Sequence, residues 1–291
     1  MPALPLDLRR WLRTLPSPRP VLEDLHSPIG PSSATRLLAC PASHATAELL
    51  ARDTAHLAAP VAAAAERGSR EHALVETALR ENTWPEIIEE FDGYPMGAAA
   101  QLYIETIISV IRQTVRVDAL FVEEMLDGRL YHELFFGTTD AGLVWRDENN
   151  RVRLSIVDLK TGNHLVAADA LQLQLYAALL LLDPRTRDFT RHVWHIDCTV
   201  VQPHAKPMPA TGAVRTVQFT RREILDSARA YLALADAATA LDAVEVLARK
   251  PGEHCIFCPA KPACPARRAQ REAQAALLFS PVSFDADELA A

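Results

Sequence analysis

The chain has 291 residues, 49% of them hydrophobic and 23% charged, which excludes a globally disordered or fibrous protein and allows one large domain or two small ones. A net charge of −7 excludes a bulk electrostatic grip on nucleic acid, so any such contact falls to local basic patches such as Lys250, Lys261, Arg267, Arg268 and Arg271. No secretion-signal pattern opens the chain and the apolar run at 176–182 is far too short for a membrane span, so a cytoplasmic protein without membrane contact is expected.

Residues 1–31 are rich in Pro, Leu and Arg without a steady period. They read as an extended arm with a short helix near 6–15. Ser32 and Ser33 provide an N-cap for a short helix over 34–39, which leads to Cys40. Alanine-rich patterns predict helix within 45–81 and over 97–115. The pattern then changes to short β-rich segments at 119–124, 130–136, 140–145 and 152–159. Asp127-Gly128 and residues 147–150 supply turns between them, so an antiparallel meander is expected. A helix over 169–182, strands near 192–202 and 214–219, and a helix over 221–248 capped by Thr220 follow. A Cys/Pro module occupies 251–266, another helix begins near 265, and the chain closes on an acidic tail expected to be mobile.

The expected fold class is α/β: a mixed sheet around an antiparallel meander, flanked by helices, with a cysteine-rich helical module. The expected organisation is an arm at 1–31, a core at 32–248 carrying Cys40, a cysteine module at 249–278 and a tail at 279–291.

Asp158 and Lys160 stand two apart at the end of an apolar strand, so their side chains point the same way. Burying an acid and a base there has a cost unless they are paired or functional. Asp140, in Gly137-Thr-Thr-Asp140, offers a second carboxylate from the neighbouring strand. Carboxylates of this kind suit a hard cation such as Mg2+, which activates water for attack on a phosphodiester. Lys160 can stabilise charge in the transition state. Gln172 and Tyr176, four apart on a helix, share a face and can order a phosphate or Lys160. His72 offers an imidazole that shifts the preference toward Mn2+. Glu71 and Glu76 rival His72, while Asp118 and the Glu123-Glu124 pair rival Asp140.

Five cysteines in a reducing compartment point to metal ligation before disulfides. Cys255-x-x-Cys258 and Cys264 provide three ligands, and a fourth must come from elsewhere. Cys198 lies in an apolar strand and reads as a core thiol, which leaves Cys40. Four thiolates serve either a cubane iron–sulphur cluster or tetrahedral zinc, and His254 keeps zinc open.

Together these motifs resemble the iron–sulphur branch of the RecB-like PD-(D/E)XK nucleases, in particular the stand-alone, phage-type members. The resemblance covers about residues 31–270 and includes the phrase Val200-Val-Gln-Pro203. It implies a restriction-endonuclease-like core with a nuclease site at His72, Asp140, Asp158, Lys160, Gln172 and Tyr176. The metal, Mg2+ or Mn2+, would be held by His72, Asp140, Asp158 and the Leu159 carbonyl. A [4Fe-4S] cluster would sit on Cys40, Cys255, Cys258 and Cys264, with Zn2+ as the alternative. The implied function is a metal-dependent deoxyribonuclease acting as an exonuclease on DNA ends, single-stranded or duplex, in repair, recombination or a phage pathway. No helicase motif or phosphate-binding Gly-x-x-x-x-Gly-Lys loop is present. Any motor is therefore another protein, and a helicase, recombinase or annealing partner and an oligomeric assembly are compatible. The acidic balance motivates a rival expectation, a DNA-end or partner-binding module with weak or no cleavage.

Overall fold

The computed structural model describes residues 1–18, 27–54, 63–87, 90–91, 94–240 and 243–278. In chain order the helices and strands are α1 (Ala34–Ala39), α2 (Ser43–Thr54), α3 (Ala63–Glu81), β1 (Glu90–Phe91), β2 (Tyr94–Pro95), α4 (Ala98–Arg112), β3 (Arg116–Asp127), β4 (Phe136–Arg146), β5 (Val152–Leu159), α5 (Leu171–Leu182), α6 (Arg187–Thr190), β6 (His195–Val201), β7 (Val214–Thr220), α7 (Arg221–Thr239), α8 (Ala243–Val246) and α9 (Pro265–Leu278). The fold is α/β. Its centre is a five-stranded mixed sheet in the order β3-β4-β5-β6-β7, in which only the β5–β6 pair is parallel. A parallel neighbour needs a crossover, and α5 lies in it.

The chain divides into two compact units, residues 1–35 with 59–236 and residues 36–58 with 237–291. The first holds the sheet. One sheet face packs Leu143, Trp145, Val157 and Leu159 against Val75 and Leu79 of α3 and Tyr103, Ile104 and Ile107 of α4. The Tyr103 hydroxyl donates to the Val157 carbonyl at 2.8 Å, which fixes α4 on β5. The other face receives α5, whose Leu180 comes so close to β4 that a Cβ on Gly142 would stand 2.4 Å from it. The N-terminal residues join this unit as well. Leu4, Leu8 and Leu15 are buried, and Leu12 bridges in parallel to Leu120 on the outer side of β3.

Several expected elements need correction. Residues 130–136 form no strand apart from Phe136. They make a looped connection between β3 and β4, with Gly128 N–H donating to Phe135 O and Phe135 N–H to His132 O. Leu130 and Tyr131, whose apolar character suggested a strand, are 78% and 53% exposed. The short helix at 6–15 is a 3-10 turn over Leu8–Trp11. The helical pattern at 45–81 is carried by α2 and α3, with residues 55–62 outside the described ones. The helix expected over 221–248 stops at Thr239, and the short α8 follows. Cys40 falls in the same compact unit as the C-terminal cysteines, so that unit is discontinuous in sequence. The tail at 279–291 lies outside the described residues. No helix among the described residues is long and apolar enough to cross a membrane.

Candidate functional site

Asp158 occupies the penultimate position of β5, and Lys160 follows the strand's end, anchored by its N–H to Val201 O at 2.9 Å. The two-residue spacing brings the side chains together: Lys160 Nζ lies 2.9 Å from Asp158 Oδ2 and donates to Oδ1 at 3.1 Å. Asp158 is 2% exposed, and its Oδ2 is buried without a directed hydrogen bond. Asp140 lies just beyond the β4–β5 ladder, whose terminal partners are Ala141 and Val157. Its Oδ2 accepts the Leu159 N–H at 2.7 Å, so the carboxylate replaces the missing ladder bond and holds the strand that carries Asp158. His72, on α3, places Nδ1 3.7 Å from Asp140 Oδ1.

The electrostatics follow from crowding acids in a partly dry place. Burial pushes the Asp158 carboxyl up to about 6; Lys160 restrains the rise and Asp140 adds to it. Burial also raises Asp140, against the pull of His72 and Lys160. Burial alone would lower His72, yet Asp140, Glu123 and Asp158 overcome it and raise the imidazole to about 9. Burial opposes the charge of Lys160, and Asp158 and Asp140 more than restore it, leaving the ammonium above its ordinary value. Burial is thus the largest single influence on each of these groups, and the opposite charges beside it act against it.

Gln172 and Tyr176 share the expected face of α5. Burial raises the Tyr176 hydroxyl well above its ordinary value, while Lys160 and a hydrogen bond with Gln172 hold it back. Gln174, off that face, donates instead to Asp169 O at 2.7 Å.

The rivals separate cleanly, with one exception. Glu71 accepts the Gly97 and Ala100 N–H groups at 2.9 and 3.1 Å and so stabilises the start of α4. Glu76 pairs with Arg80 on the surface, Asp118 with Arg116 and Arg146. Glu124 accepts the Leu15 N–H at 3.1 Å. Glu123 is the exception: its Oε1 lies 3.2 Å from His72 Nδ1, and among the described residues the donors of His72, Glu123 and Asp140 lie within 4.8 Å of one another. The partners Val122–Ala141 and Glu124–Thr139 set Glu123 opposite Asp140 across β3 and β4. Glu123 has φ 49°, a left-handed conformation that costs a non-glycine residue on the order of 1–3 kcal/mol. Sequence reasoning ranked Glu123 only as a rival of Asp140. The available signal was two consecutive acids in a strand, which must face opposite ways, but not which of them faces the site.

The second unit carries the cysteines. Cys40 follows α1, Cys255 and Cys258 lie in and just after a 3-10 turn over Glu253–Phe257, and Cys264 precedes Pro265 at the start of α9. All four line one pocket, together with Ser43, Lys250, His254 and Arg267. Backbone N–H groups point at sulphur: Lys250 N lies 3.4 Å from Cys40 Sγ and Gly252 N 3.4 Å from Cys255 Sγ. Donors of this kind commonly surround metal-bound sulphur. Among the described residues no three of these sulphurs lie within 4.8 Å of one another. Four thiolates on one zinc at about 2.3 Å would stand only about 3.8 Å apart. Cys198 is buried in β6 within the other unit, and burial raises its thiol well above the ordinary value, as for a core residue.

A family profile described as "Protein of unknown function (DUF2800)" matches residues 26–291. The chain belongs to this family. All the residues gathered at both places in this DUF2800 chain, from Cys40 and His72 to Cys264, fall inside the matched segment.

Proposed function

We propose that the chain is a divalent-metal-dependent deoxyribonuclease of the RecB-like PD-(D/E)XK kind, with a structural [4Fe-4S] cluster in its cysteine unit. The observation that carries the reading is the convergence of His72 from α3, Asp140 from β4 and the Asp158–Lys160 pair from β5 on one patch of the sheet. A hard cation fits this donor set: two buried carboxylates, raised chiefly by burial, stand beside one imidazole and the Leu159 carbonyl. His72, Asp140, Asp158 and the Leu159 carbonyl would hold Mg2+ or Mn2+. The bound cation would supply Lewis acidity for the attack of water on a phosphodiester.

The chain's own groups do the rest. Lys160 donates to charge that develops on the phosphate, and its present partner Asp158 keeps it protonated and aimed. Tyr176, buried and bonded to Gln172, positions Lys160 or the scissile phosphate. Asp140 and Tyr103 hold β5 by its Leu159 N–H and Val157 carbonyl, so the acid and the base stay in register.

In the cysteine unit, four sulphurs on one pocket with N–H donors aimed at them suit a metal centre. Four thiolates suit either a [4Fe-4S] cluster or a single Zn2+, and the resemblance to the iron–sulphur nucleases favours the cluster.

The test is anaerobic purification with metal analysis, then cleavage of end-labelled linear and circular DNA in Mg2+ or Mn2+. Metal-dependent degradation that Asp158→Asn and Lys160→Ala abolish is expected. Activity undiminished in both variants would sink the mechanism. Binding to DNA ends without cleavage would favour the rival reading of a DNA-end or partner-binding module. A colourless protein with stoichiometric zinc would replace the cluster.

A further inference from the structure

We propose that Gln202 is a positioning residue for Lys160: its buried side chain pins the backbone that follows Lys160 and so sets where the ammonium stands. The inference rests on the nuclease reading above and adds to it a residue that touches neither cation nor phosphate. Gln202 comes directly after β6, in the phrase Val200-Val-Gln-Pro203.

Gln202 is 0% exposed, and every hydrogen-bonding position of its amide is used. Nε2 donates to the Gly162 carbonyl at 2.9 Å and to the His164 carbonyl at 2.6 Å. Oε1 accepts the Val166 N–H at 3.0 Å and a hydrogen of Arg215 Nη2 at 2.8 Å. The place demands a long side chain that both donates and accepts. An ionised Glu cannot donate, Lys and Arg cannot accept, and Asn is too short to reach both sides. A buried amide is costly unless satisfied, so side chain and loop hold each other.

That loop is the direct continuation of the strand that carries Asp158. The β5–β6 ladder ends at the Leu159–Val201 pair, and the Lys160 N–H adds one more bond, to Val201 O at 2.9 Å. Past Lys160 the side chain of Gln202 takes over where the ladder stops. Other groups fasten the same backbone: Arg67 Nη2 donates to Thr161 O at 2.7 Å, the Lys206 N–H to Asn163 O at 2.9 Å and Arg215 Nη2 to Val166 O at 2.9 Å. Gly162, Asn163, His164 and Leu165 are themselves exposed. The segment therefore keeps its course through its backbone bonds and not by burying its own side chains.

The candidate site surrounds this loop. Lys160 precedes it, α5 with Gln172 and Tyr176 follows it, and Arg67 shares α3 with His72. A lysine side chain is long and rotatable, so its ammonium is aimed by its ion partner Asp158 and by the backbone it springs from. Displacing a reacting group by about 1 Å costs on the order of 10²-fold in rate. Without the Gln202 amide the Gly162 and His164 carbonyls turn to water, and the backbone after Lys160 is released.

The experiment compares full-length wild type, Gln202→Met and Gln202→Glu in the cleavage of end-labelled linear DNA with Mn2+, below the melting temperature of each. Gln202→Met keeps the bulk and removes every bond. Gln202→Glu keeps the shape and the acceptor toward Val166 and Arg215, and it decides the matter if the Met variant does not fold. Both should lose about 10- to 100-fold in kcat, with KM for DNA and the calorimetric affinity for Mn2+ within about twofold of wild type. Amide hydrogen exchange over 160–166 should quicken in both. A merely structural residue would instead lower the folded fraction, so that rate and Mn2+ stoichiometry fall together. That result overturns the inference, as does a wild-type kcat in a folded variant or a rise in KM at unchanged kcat; in each case the nuclease reading stands. If wild type itself leaves DNA intact, the nuclease reading falls and the positioning role falls with it.

Discussion

The carboxylate group on the sheet and the cysteine group in the second unit assemble donors in opposite ways. Asp140, Asp158 and Glu123 are carried by strands: Asp158 is paired to Val200, Asp140 accepts the Leu159 N–H, and Glu123 sits between two ladder pairs. Cys255, Cys258 and Cys264 lie in a 3-10 turn and Pro-flanked loops, and among the described residues few large apolar side chains of that unit are buried. The lesson concerns what each group needs. On the proposed reading, the first would use its metal for chemistry and the second for its own order.

That contrast can be broken most sharply at Lys160. Lys160→Ala should lower the cleavage rate by about 10³-fold or more, because the donor to the developing phosphate charge is gone. It should also cost roughly 3 kcal/mol of stability, since Asp158 is left buried without its partner. Asp158→Asn should lose activity equally yet leave the melting temperature near wild type, because it neutralises a carboxyl already raised to about 6. A large fall in melting temperature for Asp158→Asn would show that the pair is a structural device.

The cysteine side gives the converse. Cys258→Ser should remove the metal and destabilise the unit by about 4–5 kcal/mol on the loop-closure scale, read as early proteolysis within 237–278 and loss of visible absorbance. Cys198→Ala is the internal control. It should cost about 1–2 kcal/mol from a small cavity in β6 and leave the metal content untouched. Iron lost from that variant would move Cys198 into the centre.

A smaller effect is expected at Gly142, where the close approach of α5 leaves no room. Gly142→Ala should push Leu180 aside and cost about 1–3 kcal/mol in a chemical melt, without changing metal affinity. The smallest belongs to Glu71. Glu71→Gln keeps the shape but weakens the acceptor for the start of α4, by about 1 kcal/mol.

The parts legible in the sequence were those set by short spacing. Asp158 and Lys160 meet because two residues on a strand share a side, and Gln172 meets Tyr176 because four residues on a helix do. Much of the mixed sheet was legible because β-rich segments were separated by turn residues. Glu123 was not, because its place depends on strand register. That register shifts at an irregularity between Val117 and Ala119, which no local pattern announces. The loop at 130–135 was misread as a strand for a related reason. Leu130 and Tyr131 are apolar by type but outside by position, and only Phe135 and Phe136 anchor the connection.

The N-terminal segment has a consequence for how the molecule behaves in company. β3 is an outer strand of the sheet, and an open strand margin invites another chain to add to it. Here Leu12 bridges to Leu120, Arg13 N–H donates to the Leu120 carbonyl, and Leu15 N–H is taken by Glu124. The chain thus shields that margin with its own first residues. Trimming residues 1–16 would unmask a sticky border and loosen β3, so self-association is expected from the cut.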